Sequence, residues 1–293
     1  MRKLLLLLLL PFCLRAQFII SSGTPSSTIL HIEVRDYDNN QGCAGNNDGW
    51  TWFTWWNGYT LARPDSALHC ENGGYNDSAA SAVVNNIQYQ VDCSCNNDNP
   101  INMFIRNYKT GAKTDSLIIY SDQTGHTTHR LTLLGICKLS GTDSLLLGGY
   151  ERYNHPPAIT HPDTMYGIWR WLPGETTAYW VYNTEVSGSY GMNGLAMNGN
   201  LLYIVSEMSD TLEVINTTTW TQSAVKDMAQ SGGSFRGIAI IGSTILVGND
   251  TDTTIDYYDL TTLNALVPAT RDMSDFAYGG NILYGLWTIN EYR

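Results

Sequence analysis

Charge is scarce in this chain. Only 15% of its 293 residues are Asp, Glu, Lys or Arg, against the usual quarter. Long solvent-facing helices are built from Lys, Glu and Arg, so this shortage argues against them. Basic residues are the scarcer sign, 16 against 27 acidic ones. A nucleic-acid partner is therefore disfavoured, because phosphate binding needs a basic surface. No apolar run after the first residues is long enough for a membrane-spanning helix, which needs about 20 such residues. The chain also lacks the G-x-S-x-G, P-loop and H-E-x-x-H signatures. His126 with His129, and His155 with His161, have no metal-ligand spacing of note. No nucleophile–base set or acid–base carboxylate pair stands out by spacing.

What fills the gap is Thr, Ser, Asn and Gly, over a hydrophobic content of 43%. That balance suits strands with polar turns and a real core. Met1 to Ala16 reads as a secretory signal peptide: Arg2 and Lys3, then the Leu4–Leu10 run, a break at Pro11 and a small residue before Gln17. Loss of Arg2, Lys3 and Arg15 would take the 16 basic side chains to 13 and leave a strongly acidic secreted protein. Cationic partners, divalent cations or simple solubility fit that charge.

Two stretches repeat. GLAMNGNLLYIVSEMSDTLEVI at 194–215 aligns with GIAIIGSTILVGNDTDTTIDYY at 237–258. Gly194 matches Gly237, Gly199 matches Gly242, Leu202 matches Ile245 and Ile215 matches Tyr258, all at an offset of 43. Each unit reads strand, Gly or Asn turn, strand, polar turn, strand. A period of about 40–45 residues with several short strands per unit marks a propeller blade. Residues 133–153 fit the pattern loosely, and the final FAYGGNILYGLWTINEY supplies only about two strands. A closed propeller would borrow the missing strands from elsewhere, for which 101–120 are the candidates. The expectation is about four blades in residues 110–293. A rival division of 25–293 into six units is disfavoured, because the cysteines and tryptophans of the first hundred residues do not recur.

The 200–220 segment, NLLYIVSEMSDTLEVINTTTW, resembles the YVTN family of propeller repeats. Leu202, Tyr203, Ile204 and Val205 stand at its first strand, and Thr211, Leu212, Val214, Ile215 and Asn216 at its second. The next copy departs from it, with Tyr257, Tyr258 and Asp259. The resemblance covers under a quarter of the chain. It implies a propeller and no particular activity; such repeats occur in secreted surface-layer and binding proteins and in some lactonases.

The first hundred residues read differently. Leu30, Ile32 and Val34 alternate with His31, Glu33 and Arg35, a half-buried strand. Trp50, Trp52, Phe53, Trp55, Trp56 and Tyr59 fall within ten residues, with aromatics on both faces of one strand. Core packing uses such residues, yet the excess makes Trp50, Trp52, Trp55, Trp56 and Tyr59 candidates for stacking on a sugar or a partner. Asp36, Asp38 and Asn40 have the odd-position spacing of a calcium loop, without the Gly and Glu that an EF-hand requires at its sixth and twelfth positions. Ca2+ is the cofactor they would take; an Asx-rich turn is the plainer alternative.

Cys43, Cys70, Cys93 and Cys95 lie within 53 residues of a chain read as secreted, so two disulfides are expected. Cys93 and Cys95 are too far apart along one strand face to bond each other readily. Cys137, in an apolar strand, is expected to be a buried free thiol. Asn76, Asn216 and Asn249 begin glycosylation sequons, each at a position read as a turn.

The fold expected is all-β: a signal peptide at 1–16, a disulfide-stapled, β-sandwich-like domain at 17–100, and a small or partial propeller at 101–293. The function expected is a secreted, non-catalytic binding or assembly protein, with an extracellular protein or glycan as partner. A metal-dependent, lactonase-like propeller hydrolase with acidic residues at the central channel is the first alternative; Glu207, Asp210, Asp250 and Asp252 follow first strands in the two units and would ring one face, or else serve as plain turn residues. A subunit of an extracellular filament or coat, self-associating through unpaired terminal strands, is the second.

Overall fold

A computed structural model describes residues 27–36, 50–57, 65–67, 80–91, 101–107, 113–122, 130–152, 165–184, 192–206, 211–228, 235–249, 254–272 and 282–291. Among these residues every regular element is a strand. The short apolar runs broken by Gly, Asn and Thr turns do not allow a helical period to develop.

Four sheets follow one another along the chain, each built on an antiparallel meander, in a propeller-like arrangement. The one made of β4 (Ser81–Val84), β5 (Ile87–Val91), β6 (Met103–Asn107) and β7 (Lys113–Leu117) is called the second sheet here. The third holds β8 (Tyr120–Ser121), β9 (Arg130–Lys138), β10 (Leu145–Arg152), β11 (Met165–Trp171) and β12 (Thr177–Asn183). Its short β8 pairs with β12 in parallel and with β9 antiparallel, so this sheet closes on itself. The fourth holds β13 (Met192–Asn198), β14 (Leu201–Ser206), β15 (Thr211–Asn216) and β16 (Thr221–Asp227). The fifth holds β17 (Phe235–Ile241), β18 (Thr244–Asn249), β19 (Thr254–Asp259) and β20 (Ala265–Asp272).

The first sheet joins the two ends of the chain. Its order is β21 (Ile282–Glu291), β1 (Ser27–Asp36), β2 (Trp50–Asn57) and β3 (Asp65–Ala67). Register runs from Ser27↔Glu291 to Arg35↔Ile282. The missing strands of the last unit are thus supplied by 27–67, not by 101–120, which belong to the second and third sheets. With β2 on one side, β1 presents the unpaired backbone N–H and C=O groups of its other edge, and β21 pairs with them. The terminal strands that the filament reading leaves unpaired pair with each other.

The expected boundary at residue 100 falls inside the second sheet, because Ile87–Val91 pair with Met103–Asn107 across it. The NNDNP stretch at 96–100, read from the sequence as a break, lies outside the described residues, and strand pairing continues across it. Likewise β1 to β3 do not form a sheet of their own.

β4, β9, β13, β17 and β21 touch in turn, and β21 also touches β4. The five sheets are thereby arranged about a ring of inner strands. Four of those strands share an irregularity. β9, β13, β17 and β21 each carry a bulge ending in glycine: Leu134-Gly135, Asn193-Gly194, Arg236-Gly237 and Tyr284-Gly285. A bulge adds local twist, and glycine allows close approach. At Gly194 a methyl group would lie 2.6 Å from Val205 Cγ2 and 2.8 Å from the Gly237 backbone. The inner strands of the fourth and fifth sheets meet there.

The core lies between sheets. Ala82, Val84, Tyr89, Val91 and Met103 of the second sheet pack with Leu131, Leu133, Ile136, Trp169 and Trp171 of the third. Cys137, Leu146 and Ile168 of the third pack with Leu195, Leu202, Ile204 and Ile215 of the fourth. Tyr203, Val205, Leu212 and Val214 of the fourth pack with Ile238, Ile245, Val247 and Tyr258 of the fifth. Cys137 is a free thiol, as expected, and burial pushes its pKa far up.

Candidate functional site

An antiparallel meander sends successive connections to alternate ends. At one end lie tight turns: Asn85-Asn86, Gly199-Asn200, 217–220, Gly242-Ser243 and 260–264. Gly199 and Gly242 have φ of 60° and 59°. The repeat-equivalent Trp220 and Leu263 are also left-handed, with φ of 53° and 58°. Asn216 and Asp259, again equivalent, accept backbone N–H groups two residues on, from Thr218 and Thr261. The strand ends opposite these turns are the ones joined by 37–49, 68–79, 92–100, 153–164, 185–191, 207–210, 229–234, 250–253 and 273–281.

Most of the residues singled out from sequence fall in those connections. Asp38, Asn40, Cys43, Tyr59, Cys70, Asn76, Cys93 and Cys95 lie outside the described residues, as do Glu207, Asp210, Asp250 and Asp252 and the histidines at 126, 129, 155 and 161. Asp36 ends β1 in register with Trp50. Trp52, Trp55 and Trp56 sit on β2 opposite Val34, His31 and Leu30. Across the first sheet one row reads Trp287, His31, Trp55, Asp65. The Trp-rich stretch is thus a strand flanked on both sides by others.

Of the sequons, Asn216 is partly buried at the end of β15 and accepts the Thr218 N–H at 2.9 Å. Asn249 corrects the turn expectation. It ends β18 at 1% exposure, and its Nδ2 donates to Asp256 Oδ2 at 3.4 Å. A glycan has no room on that amide in the folded chain.

The described polar chemistry lies between and within sheets. Glu213 on β15 is buried, and its Oε1 accepts from Tyr182 Oη at 3.0 Å and Gln222 Nε2 at 2.7 Å. Its Oε2 meets no hydrogen-bond partner among the described residues. The repeat equivalent, Asp256 on β19, accepts from Thr254 Oγ1 at 3.0 Å as well as from Asn249. Burial and then the Asp256 charge push the Tyr258 hydroxyl up to about 12. In the second sheet Arg106 Nε donates to Gln90 Oε1 at 2.7 Å and Gln88 Nε2 to Ser81 Oγ at 3.2 Å, all four side chains buried. Sequence reading misses both buried acids and this polar face. Each sits at an ordinary alternating position, and nothing local marks that another sheet will cover it. Among the described residues no three His, Cys, Asp or Glu side chains converge as a metal site would require, and no helix is long and apolar enough to cross a membrane.

No family model matches the chain, and no curated protein matches it. One solved structure that it is similar to is described as "Crystal Structure of Mitotic Checkpoint Complex". That likeness has a TM-score of 0.41 at 10% identity, over 83% of this chain and 71% of the other.

Proposed function

We propose that this chain is a secreted, non-catalytic binding or assembly protein whose sheets serve as a rigid platform. The supporting observation is the asymmetry of its connections. The longest connections, 37–49, 68–79, 92–100, 153–164 and 273–281, all join strands at the end opposite the tight turns, and the first four are rich in Cys, Asp, Asn and His. Loops carried on a rigid scaffold are where recognition residues concentrate. Disulfides among Cys43, Cys70, Cys93 and Cys95 would brace the segments that join strands of the first and second sheets. Asp36, Asp38 and Asn40 would take Ca2+ at the end of β1, and the aromatic stretch of β2 would supply stacking area for a glycan or an extracellular protein.

The test uses the mature chain from residue 17, recovered from a secreting host. Binding to immobilised glycans and extracellular proteins is measured beside turnover of lactone and glycoside panels. The reading expects saturable binding that Trp55→Ala weakens by about tenfold, the order of one lost stacking contact. Chelator-sensitive turnover with no binding would refute it in favour of a hydrolase.

A further inference from the structure

The fourth and fifth sheets repeat one another, so the seams in front of them can be compared position by position. At the offset of 43, Glu213, Trp220 and Gln222 match Asp256, Leu263 and Ala265. Asp256 accepts from Asn249 and Thr254 of its own sheet. Leu263 and Ala265 pack on the apolar cluster of the seam between the fourth and fifth sheets. The seam between the third and fourth sheets departs at all three positions. Glu213 reaches across it to Tyr182 on β12, and Tyr182 and Trp220 pack on one apolar cluster. Gln222, exposed on the outer strand β16, lays its amide on the same carboxylate oxygen. Glu213 is 4% exposed, and its Oε2 receives no hydrogen bond among the described residues. A buried charged acceptor in that state costs free energy. The cations of the surrounding strands are turned away from it. β11, β12, β14, β15 and β16 carry only Arg170 and Lys226. Arg170 Nε donates to Ser144 Oγ at 3.1 Å, and Lys226 Nζ to Asn264 Oδ1 at 3.2 Å. Val225 stands opposite Glu213 on β16, and Tyr179 shares the Tyr182 face of β12. They are 54% and 51% exposed.

We propose that the outer margin of this seam binds the guanidinium of an arginine side chain carried by a partner polypeptide. Glu213 is the counter-charge, and Tyr182 and Trp220 are the aromatic surfaces along which the planar cation lies. A guanidinium presents two parallel N–H groups to a carboxylate, so it meets Oε2 as well as Oε1. Gln222 gives up one hydrogen bond and swings outward; its amide holds the place of one of those donors in the free chain. Exposed Tyr179 and Val225 receive the residues on either side of the arginine, which favours a polypeptide over the free amino acid. A chain with 27 acidic against 16 basic residues draws such a partner. The site is separate from the aromatic stretch of β2 and does not depend on it.

Isothermal titration calorimetry on the chain from residue 17 tests this. The probe is N-acetyl-arginine methylamide, and N-acetyl-citrulline methylamide is its uncharged match. The arginine probe is expected to bind with a Kd of about 1 mM, at least about tenfold tighter than the citrulline one. Glu213→Gln should weaken it about tenfold and Trp220→Leu about threefold. Asp256→Asn, at the matching place in the next seam, should leave it unchanged. Absence of saturable binding overturns the proposal, as does equal binding of the two probes or an unchanged affinity in Glu213→Gln. Tighter binding of free arginine than of the blocked probe overturns the polypeptide as its source. If Glu213→Gln does not fold, Gln222→Arg decides. Its guanidinium, tethered on β16, is expected to fill the site, so that variant should lose the probe and melt at a higher temperature than the parent. A Gln222→Arg chain that still binds the probe as the parent does overturns the proposal.

Discussion

Asn102 binds three segments at once. Its Nδ2 donates to Ile119 O at 2.8 Å and Leu131 O at 2.9 Å, and its Oδ1 accepts the Ile119 N–H at 2.8 Å. It is buried at 4% exposure, so removing it strands three backbone groups out of water. Asn102→Ala is expected to cost roughly 2–4 kcal/mol, read as a lower midpoint at unchanged slope in urea unfolding. Tyr258 gives a second residue-scale prediction, in pH. Burial first, and then Asp256, raises its folded pKa to about 12 from 10.0. The folded state therefore holds the proton more tightly than the unfolded chain does. The stability contributed is whole below pH 10 and is lost as pH rises from 10 to 12, by up to about 2–3 kcal/mol. Unfolding of Tyr258→Phe should show a correspondingly shallower decline over that window, and equal slopes would contradict the assignment.

The repeat at 194–258 is legible in the sequence because its units keep their turns in step: Gly199 and Gly242 both close hairpins with left-handed backbones. The glycine bulges are partly legible. Gly194 and Gly237 align in sequence, whereas Gly135 and Gly285 join them only through pairing, since the intervening turns differ in length. The left-handed Trp220 and Leu263 carry no signal at all, because neither residue type favours that conformation. The two kinds of glycine should also behave differently. Gly199→Ala adds a methyl with nothing within 4 Å and should cost only about 1–2 kcal/mol for its left-handed φ. Gly194→Ala drives a methyl into Val205 and the Gly237 backbone, so β13 and β17 must move apart to admit it. The expected cost exceeds that of Gly199→Ala by about 2 kcal/mol or more, measurable in parallel thermal melts.

At the scale of the whole molecule, the choice of partner strands is the illegible part. Strand, turn and alternation are local, but the pairing of β1 with β21, from opposite ends of the chain, depends on the ring closing. Composition points the other way, since the cysteines and tryptophans make 17–100 look separate. Closure has a consequence that can be measured. Ser27 and Glu291 are paired, so the ends of the described residues are neighbours on adjacent antiparallel strands. A short glycine linker from residue 291 to residue 27 would complete a hairpin without moving either strand. New ends can then be opened at the exposed 217–220 turn, between Thr218 and Thr219. That circular permutant is expected to keep a single cooperative unfolding transition within about 2 kcal/mol of the parent, because it breaks only a turn. Deleting 282–291 instead removes the inner strand of the first sheet and leaves the edges of β1, β4 and β17 uncovered. That deletion is expected to abolish the cooperative transition. A deletion variant that unfolds like the parent would mean that the ring does not depend on its last strand, and closure through β1 and β21 would fail with it.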